Sequence, residues 1–328
     1  MYKKIAGYLL LTFAVIVLNF FLPRMLPGSP VRDDAAALTQ QERLRIYEAF
    51  DLDRPLHEQF FIYMRSIFTV DFGVSFSRRA PITRILGTAL PWTVLLSLSG
   101  TALSLLLGSF LGALSVRLRH GVNGNKGGGT SKNKKRDFPL ILAISFLGSF
   151  PLFWVGMVLI AVFGVRLGLF PIFGAYSMWS DYTGLRRIAD IIMHLTMPLI
   201  TMVIGSLMVF FTTMRSGLLS VLNEDYIKLA EVRGISRRRI RFFYEWRNAV
   251  VPVFTVLMLR LGFIFSGSVV IEAVFSYPGI GQVLYNAVLA RDYPLMQYSF
   301  LLISLTVILA NLCADLLHPV LDPRIKKA

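Results

Sequence analysis

The stretch DYIKLAEVRGISRRRIRFFYEWRNAVVP, residues 225–252, is a basic segment that lies between two long apolar runs. It holds seven Lys or Arg residues against three acids, and one glycine, Gly234, divides it. The pattern predicts a short helix, capped by Asn223 or Asp225 and ended by Gly234 in the left-handed conformation. Ser236 is placed to cap a second helix. The stretch therefore predicts a compact helix-glycine-helix unit between two candidate membrane spans.

The composition around this unit is that of a membrane protein. Of the 328 residues 55% are apolar and 16% charged, and the mean hydropathy is +0.62. These values lie outside the usual range of soluble globular domains. In a soluble protein the formal charge of +15 would indicate nucleic acid as a partner. The positions of the charges along the chain distinguish this interpretation from one based on membrane topology. The single cysteine, Cys313, lies in an apolar run and is interpreted as a packing residue.

Six apolar runs are long enough to cross roughly 30 Å of hydrocarbon at about 1.5 Å per residue. The sequence therefore predicts an all-α integral membrane protein with six transmembrane helices, at residues 5–22, 91–115, 138–165, 195–214, 249–271 and 293–314. Arg260 is the one charge that interrupts the fifth run. Pro23 and Arg24 follow the first run in place of a small-residue cleavage site, so this run is interpreted as a retained span and not as a signal peptide.

The distribution of Lys and Arg predicts the orientation of these spans, because positive residues resist translocation when loops are short. With the N-terminus inside, the inner segments hold twenty Lys and Arg residues and the short outer segments hold four. The long first loop holds nine more, which its eight acids nearly neutralise. Both termini and the basic unit are therefore predicted to be cytoplasmic. The net charge then reflects membrane topology, and no nucleic-acid partner is expected.

The predicted organisation is a first span at 1–22, an extracytoplasmic loop with amphipathic helices at 23–90, a transmembrane core at 91–318 and a cytoplasmic tail at 319–328. In the loop, Thr39 and Glu42 have capping-box spacing, and Pro55 opens a helix with one apolar face. These helices are expected to pack on the spans or lie on the outer membrane surface. A docking face for an external partner is the alternative.

Residues 120–137 form a segment rich in glycine and lysine that joins two spans. It is not a phosphate-binding loop, because no glycine directly precedes a lysine followed by Ser or Thr at the start of a helix. The composition indicates a flexible linker that touches anionic lipid. The chain is therefore expected to have no nucleotide site of its own.

The predicted short helix has a shallow apolar face flanked by two positive side chains. Its apolar residues are Tyr226, Leu229, Ala230 and Ile235, and the flanking charges are Lys228 and Arg233. A short helix of this kind fits a groove in another protein. It also fits a position on lipid headgroups, which its positive residues favour. Chemistry alone leaves both interpretations open.

The stretch resembles the signature loop of ATP-binding-cassette importer permeases. The peptide-importer branch has D-Y-x-x-x-A-x-x-x-G-(L/I)-S followed by R-N-A-(L/V)-(L/V)-P, and the matching residues here are Asp225, Tyr226, Ala230, Gly234, Ile235, Ser236, Arg247, Asn248, Ala249 and Pro252. Six further blocks are similar to that branch and occur in order: RMLPGSPV, DLDRPLHEQF, DFGVSF, FPLFWVGMVLI, EAVFSYPGIGQVLYNAVLARDYPLMQ and LDPRI. Lys228 and Leu229 depart from the broad signature, which prefers Glu and Ala.

The resemblance implies a permease subunit of a bacterial inner-membrane importer and not an enzyme. In that family a second homologous permease, two cytoplasmic ATPase subunits and an extracytoplasmic solute-binding protein complete the transporter. ATP and magnesium are bound by the ATPases, so no cofactor is expected in this chain. The implied coupling helix, at about 225–234, docks on an ATPase through Tyr226, Leu229, Ala230, Gly234 and Ile235, with Arg233 as a flanking contact. The resemblance favours peptides as the cargo, with nickel chelates, opines and short glycans as alternatives.

Arg260 and Glu272 are the candidate residues of a translocation path, because a charge within the membrane is costly unless it is paired or hydrated. Arg260 lies inside the fifth run, and structural pairing or hydration is the alternative for Glu272 and Asp315, which lie near span ends. His194, at the start of the fourth run, is interpreted as interfacial. The alternative function is an ion-gradient-driven secondary transporter. That class predicts paired intramembrane carboxylates, which the runs do not contain.

Overall fold

The structure, a computed structural model, describes residues 2–25, 54–120, 136–261 and 264–321. All regular secondary structure in these ranges is helical, apart from one isolated bridge between Val74 and Pro81. The helices are α1 (Tyr2–Arg24), α2 (Leu56–Thr69), α3 (Ile82–His120), α4 (Phe138–Gly148), α5 (Leu152–Leu159), α6 (Gly184–Leu222), α7 (Asp225–Val232), α8 (Arg247–Leu261), α9 (Ile264–Val274), α10 (Ile280–Ala290) and α11 (Tyr293–Leu321). Two π-helical segments extend this set: Ile160–Arg166 continues α5, and Ile240–Trp246 leads into α8.

Four helices in the described ranges, α1, α3, α6 and α11, are long and apolar enough to cross a membrane. A fifth crossing results if α4 and α5 count as one span, but the two are bent by 93°. The span predicted at 138–165 is therefore bent, and its crossing of the membrane stays a prediction. Pro151, at the N-cap of α5, has no N–H and disfavours the helical conformation at Phe150, which explains the break.

The predicted fifth span is described as two helices, α8 and α9, and residues 262 and 263 between them lie outside the described ranges. The count of six spans thus remains a prediction. The segment 272–292, between the predicted fifth and sixth spans, contains the apolar helix α10, one face of which is buried. Helices α3 and α6 also extend well beyond the apolar runs at 91–115 and 195–214, since hydropathy detects only the part that matches the hydrocarbon.

Helices α3 and α6 pack closely through a row of small residues on α3. Gly100, Ser104, Gly108 and Gly112 recur every fourth residue and so share one face. A Cβ added at Gly108 would lie 2.7 Å from the Cβ of Phe210, and one added at Gly112 would lie 2.6 Å from a backbone oxygen of α6. The absence of side chains at these positions lets the two backbones approach, which is how helices associate in membranes.

Two buried clusters lie at opposite ends of α3. At the end called here the α2 end, Tyr63 of α2 packs with Phe20 of α1, Ile82 at the start of α3 and residues of α10 and α11. At the end called the α7 end, Ile227 and Ala230 of α7 pack with the C-terminal parts of α3 and α6 and with the start of α8.

Helix α2 confirms the helix predicted after Pro55 and its packing on the spans. Pro55 is the N-cap, and the buried face carries Gln59 and Tyr63 with Phe60, Met64 and Ile67 partly buried beside them. Three further apolar residues of α2, Leu56, Phe61 and Phe68, are exposed. The capping box at residues 39–42 and most of the linker at 120–137 lie outside the described ranges.

Candidate functional site

The short helix predicted before Gly234 is α7, which has eight residues and a length of roughly 12 Å. Gly234 follows with φ +71°, and its N–H donates to the Glu231 carbonyl at 3.0 Å. The N–H of Ile235 donates to the Ala230 carbonyl at 3.2 Å. This pair of bonds is a Schellman motif, which satisfies the last carbonyls of a helix and requires a left-handed residue. The predicted helix stop at Gly234 is confirmed.

The N-caps predicted for α7, Asn223 and Asp225, are wrong. The N-cap of α7 is Glu224, and no side chain makes a capping hydrogen bond there. Asn223 instead donates to the Leu219 carbonyl at 3.0 Å, at the end of α6. Asp225 accepts from Lys228 at 2.6 Å, and this hydrogen bond and charge hold the pKa of Asp225 below its ordinary value. Ser236 is the N-cap of the next helical turn but likewise makes no side-chain capping bond.

One face of α7 anchors the helix to the bundle. Ile227 is 0% exposed and Ala230 is 3% exposed, and Ile235 is partly buried against the same cluster. The other buried members of this cluster are Ile240 of the segment Ile240–Trp246 and, from α3, α6 and α8, Ala113, Val116, Phe210, Met214, Leu218, Val221, Ala249 and Val253. The prediction that Ala230 and Ile235 share the exposed apolar face is therefore wrong. A sequence shows that a helix has an apolar stripe, but not which part of the stripe meets the chain's own spans.

The opposite face of α7 is exposed and apolar. Tyr226, Leu229 and Val232, spaced three residues apart, are 38%, 51% and 85% exposed, and Arg233 is exposed beside them. Val232 was not among the predicted docking residues, although its spacing from Leu229 was the available signal. The structure thus brings Tyr226, Leu229 and Arg233 together on one surface, called here the α7 stripe, and adds Val232 to it.

A buried ion pair fixes the helix ends beside α7. Arg215 of α6 donates through Nη2 to Asp137 Oδ2 at 2.7 Å and through Nε to Ser115 Oγ of α3 at 3.0 Å. Asp137 directly precedes α4 and is 2% exposed. One guanidinium therefore joins α3, α4 and α6 at the α7 end. Sequence reading missed this contact because its partners lie far apart along the chain.

Glu272 is placed in the interior and not on an open path. Its side chain is buried, and Oε2 accepts from the N–H of Gly281 at 2.7 Å, at the start of α10. Thr93 of α3 accepts from the neighbouring Ile280 N–H at 2.8 Å. A Cβ added at Gly279 would lie 2.5 Å from Thr93 Oγ1 and against the Glu272 carboxylate. Glu272 therefore caps α10, which favours the structural pairing given above as its alternative, and its place on a translocation path stays a prediction.

The other charged candidates are placed as follows. Arg260, near the end of α8, is partly exposed and forms no ion pair within the described ranges. Asp315 accepts from the Tyr8 hydroxyl at 3.2 Å, which joins α11 to α1. His194 is 6% exposed, with Nδ1 2.9 Å from the Asp190 carbonyl oxygen, and its interfacial depth in the membrane stays a prediction.

Comparisons with known proteins agree with this architecture. A family model described as "Binding-protein-dependent transport system inner membrane component" matches residues 127–327. The chain is 30% identical to the oligopeptide transport system permease protein AppB of Bacillus subtilis, over 95% of this chain and 94% of the relative. It is 32% identical to the glutathione transport system permease protein GsiC of Escherichia coli K12, over 99% and 97%.

A further relative is the di/tripeptide transport system permease protein DppB of Pseudomonas aeruginosa, 32% identical over 96% of this chain and 94% of the relative. Among solved structures, an inward-facing form of the MetNI methionine ABC transporter aligns with a TM-score of 0.56 at 14% identity. The alignment covers 73% of this chain and 97% of the matched one. At that identity the likeness concerns the fold alone.

Proposed function

The chain belongs to the family of binding-protein-dependent transport system inner membrane components, and we propose that α7 is the helix through which separate ATPase subunits act on it. As a member of this family it is the translocation subunit of an ATP-binding-cassette importer and a multi-pass protein of a bacterial inner membrane.

The observation that carries the proposal is the division of α7 into an anchored face and an exposed apolar face. Burying one large aliphatic side chain stabilises a complex by about 1.5–3 kcal/mol before the costs of association. Leu229 and Val232 are exposed in this chain, and Tyr226 and Arg233 lie beside them. An amphipathic helix of this size fits a hydrophobic groove. The α7 stripe is therefore the proposed docking surface, and Ala230, Gly234 and Ile235 hold its geometry.

The proposed topology puts the α7 end in the cytoplasm. It is supported by the excess of Lys and Arg in the segments assigned to the inside, twenty against four in the short outer ones. Six crossings follow if the bent pair α4 and α5 is one span and α8 with α9 is another. Both termini then lie on the same side as α7.

In the proposed complex, two ATPases bind ATP and magnesium, a second permease completes the path, and a solute-binding protein delivers cargo at the α2 end. ATP-driven closure of the ATPases moves α7. Ile227 and Ala230 share one buried cluster with Ile240 of the segment Ile240–Trp246 and with residues of α3, α6 and α8, so a displacement of α7 is passed through this cluster to the bundle. A rigid-body change of this kind can expose the path to the opposite side.

We propose short peptides as the cargo, because the curated relatives described above are named for oligopeptide, glutathione and di/tripeptide transport. Arg260 is the proposed path residue for a substrate carboxylate, since it is partly exposed and has no acid partner in the described part of the chain. Replacement by Ala should reduce the uptake of acidic peptides more than that of neutral ones. An equal loss for both would remove this role.

The proposal is tested by purifying the chain in detergent with candidate ATPase subunits and a second permease. We expect co-purification and ATP hydrolysis stimulated by loaded binding protein. Leu229→Asp should abolish co-purification, while Met178→Asp, at an exposed position 81% accessible in the 167–183 segment, should retain it. Gradient-driven uptake by this chain alone, without ATPases, would contradict the proposal.

A further inference from the structure

A cavity of about 390 Å³ lies at the α2 end, between the end of α1, helix α2, the turn after it and the start of α11. Its volume is within the range of small-molecule sites. Aromatic side chains form much of its wall, including Tyr63, Phe72 and Tyr298, and the rings of Phe72 and Tyr298 stack at 4.4 Å. Two side chains of opposite charge, Arg24 and Asp71, also line it.

Among the described residues, Arg24 is held in the cavity wall by neutral oxygens and by the Phe20 ring, whose centroid lies 3.7 Å from its Cζ. Nη1 donates to the Phe20 carbonyl at 2.6 Å and to Gln297 Oε1 at 3.0 Å, while Nε and Nη2 donate to Gln59 Oε1 at 3.2 and 2.9 Å. A guanidinium has five N–H donors, and one hydrogen on Nη2 has no acceptor among the described residues. No carboxylate within the described ranges pairs with this cation. Its position is fixed, and its charge is not neutralised there.

Asp71 supplies the opposite charge on the same cavity. One carboxylate oxygen, Oδ1, accepts from the Gly73 N–H at 3.3 Å, and the side chain is otherwise exposed. Asp71 and Arg24 do not form an ion pair with each other, although both line the cavity. Two opposite charges that line one aromatic-walled cavity without pairing complement a ligand that carries both charges.

We propose that this cavity binds a small zwitterion, with its anionic group at Arg24, its primary amine at Asp71 and its body against the aromatic wall. Charge-assisted hydrogen bonds at both ends would give the selectivity, since they are about twice as strong as neutral ones. A free dipeptide has this chemistry, and so does a phosphatidylethanolamine headgroup. The inference rests on the proposed function only in regarding the α2 end as the outer one; binding itself requires no ATPase.

The test is equilibrium binding of dialanine, N-acetyl-dialanine and dialanine amide to the purified full chain in phosphatidylglycerol nanodiscs without ATP. Blocking either end of dialanine should weaken binding at least about tenfold, the loss of one charge-assisted bond. Asp71→Asn keeps a side-chain oxygen that can accept from the Gly73 N–H and removes only the negative charge. It should weaken dialanine binding and abolish the difference between dialanine and its N-acetyl form. Asp181→Asn, an exposed acid that does not line the cavity, is the matched control.

A measurement of bound lipid distinguishes the two candidate ligands, a free dipeptide and a phosphatidylethanolamine headgroup. If phosphatidylethanolamine is retained by the wild-type chain in native mass spectrometry, is lost in Asp71→Asn and displaces dialanine, the ligand is the lipid headgroup. Equal binding of the free and capped dipeptides, no binding of either ligand, or no effect of Asp71→Asn would overturn the inference. These outcomes leave ATPase docking at α7 untouched, so the two proposals fail separately.

Discussion

Ile227 and Val232 lie on opposite faces of the same eight-residue helix, the first 0% and the second 85% exposed. The inner face belongs to a buried cluster with Ile240 and residues of α3, α6 and α8, and the outer face is exposed. A helix arranged in this way can receive a force on one side and pass it to the bundle on the other. This division is what the proposed coupling role requires.

Replacing Gly234 should impair coupling through backbone strain and not through a clash. Nothing lies within 4 Å of a Cβ added there, but φ is +71°. The left-handed conformation costs a residue with a Cβ about 1–2 kcal/mol, and β-branched residues tolerate it worst, whereas Asn adopts it readily. Gly234→Val should therefore reduce peptide uptake per ATP hydrolysed, and Gly234→Asn should stay near wild type. Equal effects of the two variants would show that the Schellman turn is not needed.

The Asp137–Arg215 ion pair should contribute to the stability of the α7 end. Breaking a buried pair costs about 3–5 kcal/mol, and the cost here should be nearer 1–3 kcal/mol, because the Arg215 side chain is 21% exposed. Asp137→Asn should lower the midpoint of thermal unfolding in detergent. The double variant Asp137→Asn with Arg215→Gln should recover part of the loss, since it leaves no unpaired charge. A double variant whose loss equals the sum of the single losses would show that the two side chains do not interact.

Close packing of α10 predicts that Gly281→Ala destabilises the fold. The new Cβ would lie 2.5 Å from Val269 Cα and 2.9 Å from Glu272 Oε2. Overpacking of this kind costs about 1–3 kcal/mol. Gly87→Ala in α3 is the control, because nothing lies within 4 Å of its added Cβ and alanine favours helix. Denaturant unfolding should separate the two variants, and identical stabilities would contradict the described approach of α9 and α10.

Features that depend on local backbone chemistry could be predicted from the sequence. The stop at Gly234 is an example, because a left-handed residue after a short helix is a local requirement. The break before α5 also had a local signal in Pro151, which the continuous hydropathy of the run concealed. The row from Gly100 to Gly112 likewise had a readable four-residue spacing.

Features that depend on distant partners could not be predicted in this way. Whether Ala230 or Val232 faces outward depends on where α3, α6 and α8 lie. The same holds for Glu272, whose partner is a helix N-terminus formed by close packing at Gly279 and Gly281. In the α7 stripe, sequence identified Tyr226, Leu229 and Arg233, and the structure was needed to separate Ala230 and Ile235 from them.

The most direct test is site-directed cross-linking from the α7 stripe. A cysteine is placed at Val232 in a chain with Cys313→Ser, and the assembled transporter is treated with a short thiol-amine cross-linker. The account predicts a covalent product with an ATPase subunit, and no labelling by a membrane-impermeant maleimide added outside intact spheroplasts. Labelling from outside, together with the absence of any ATPase cross-link, would contradict it.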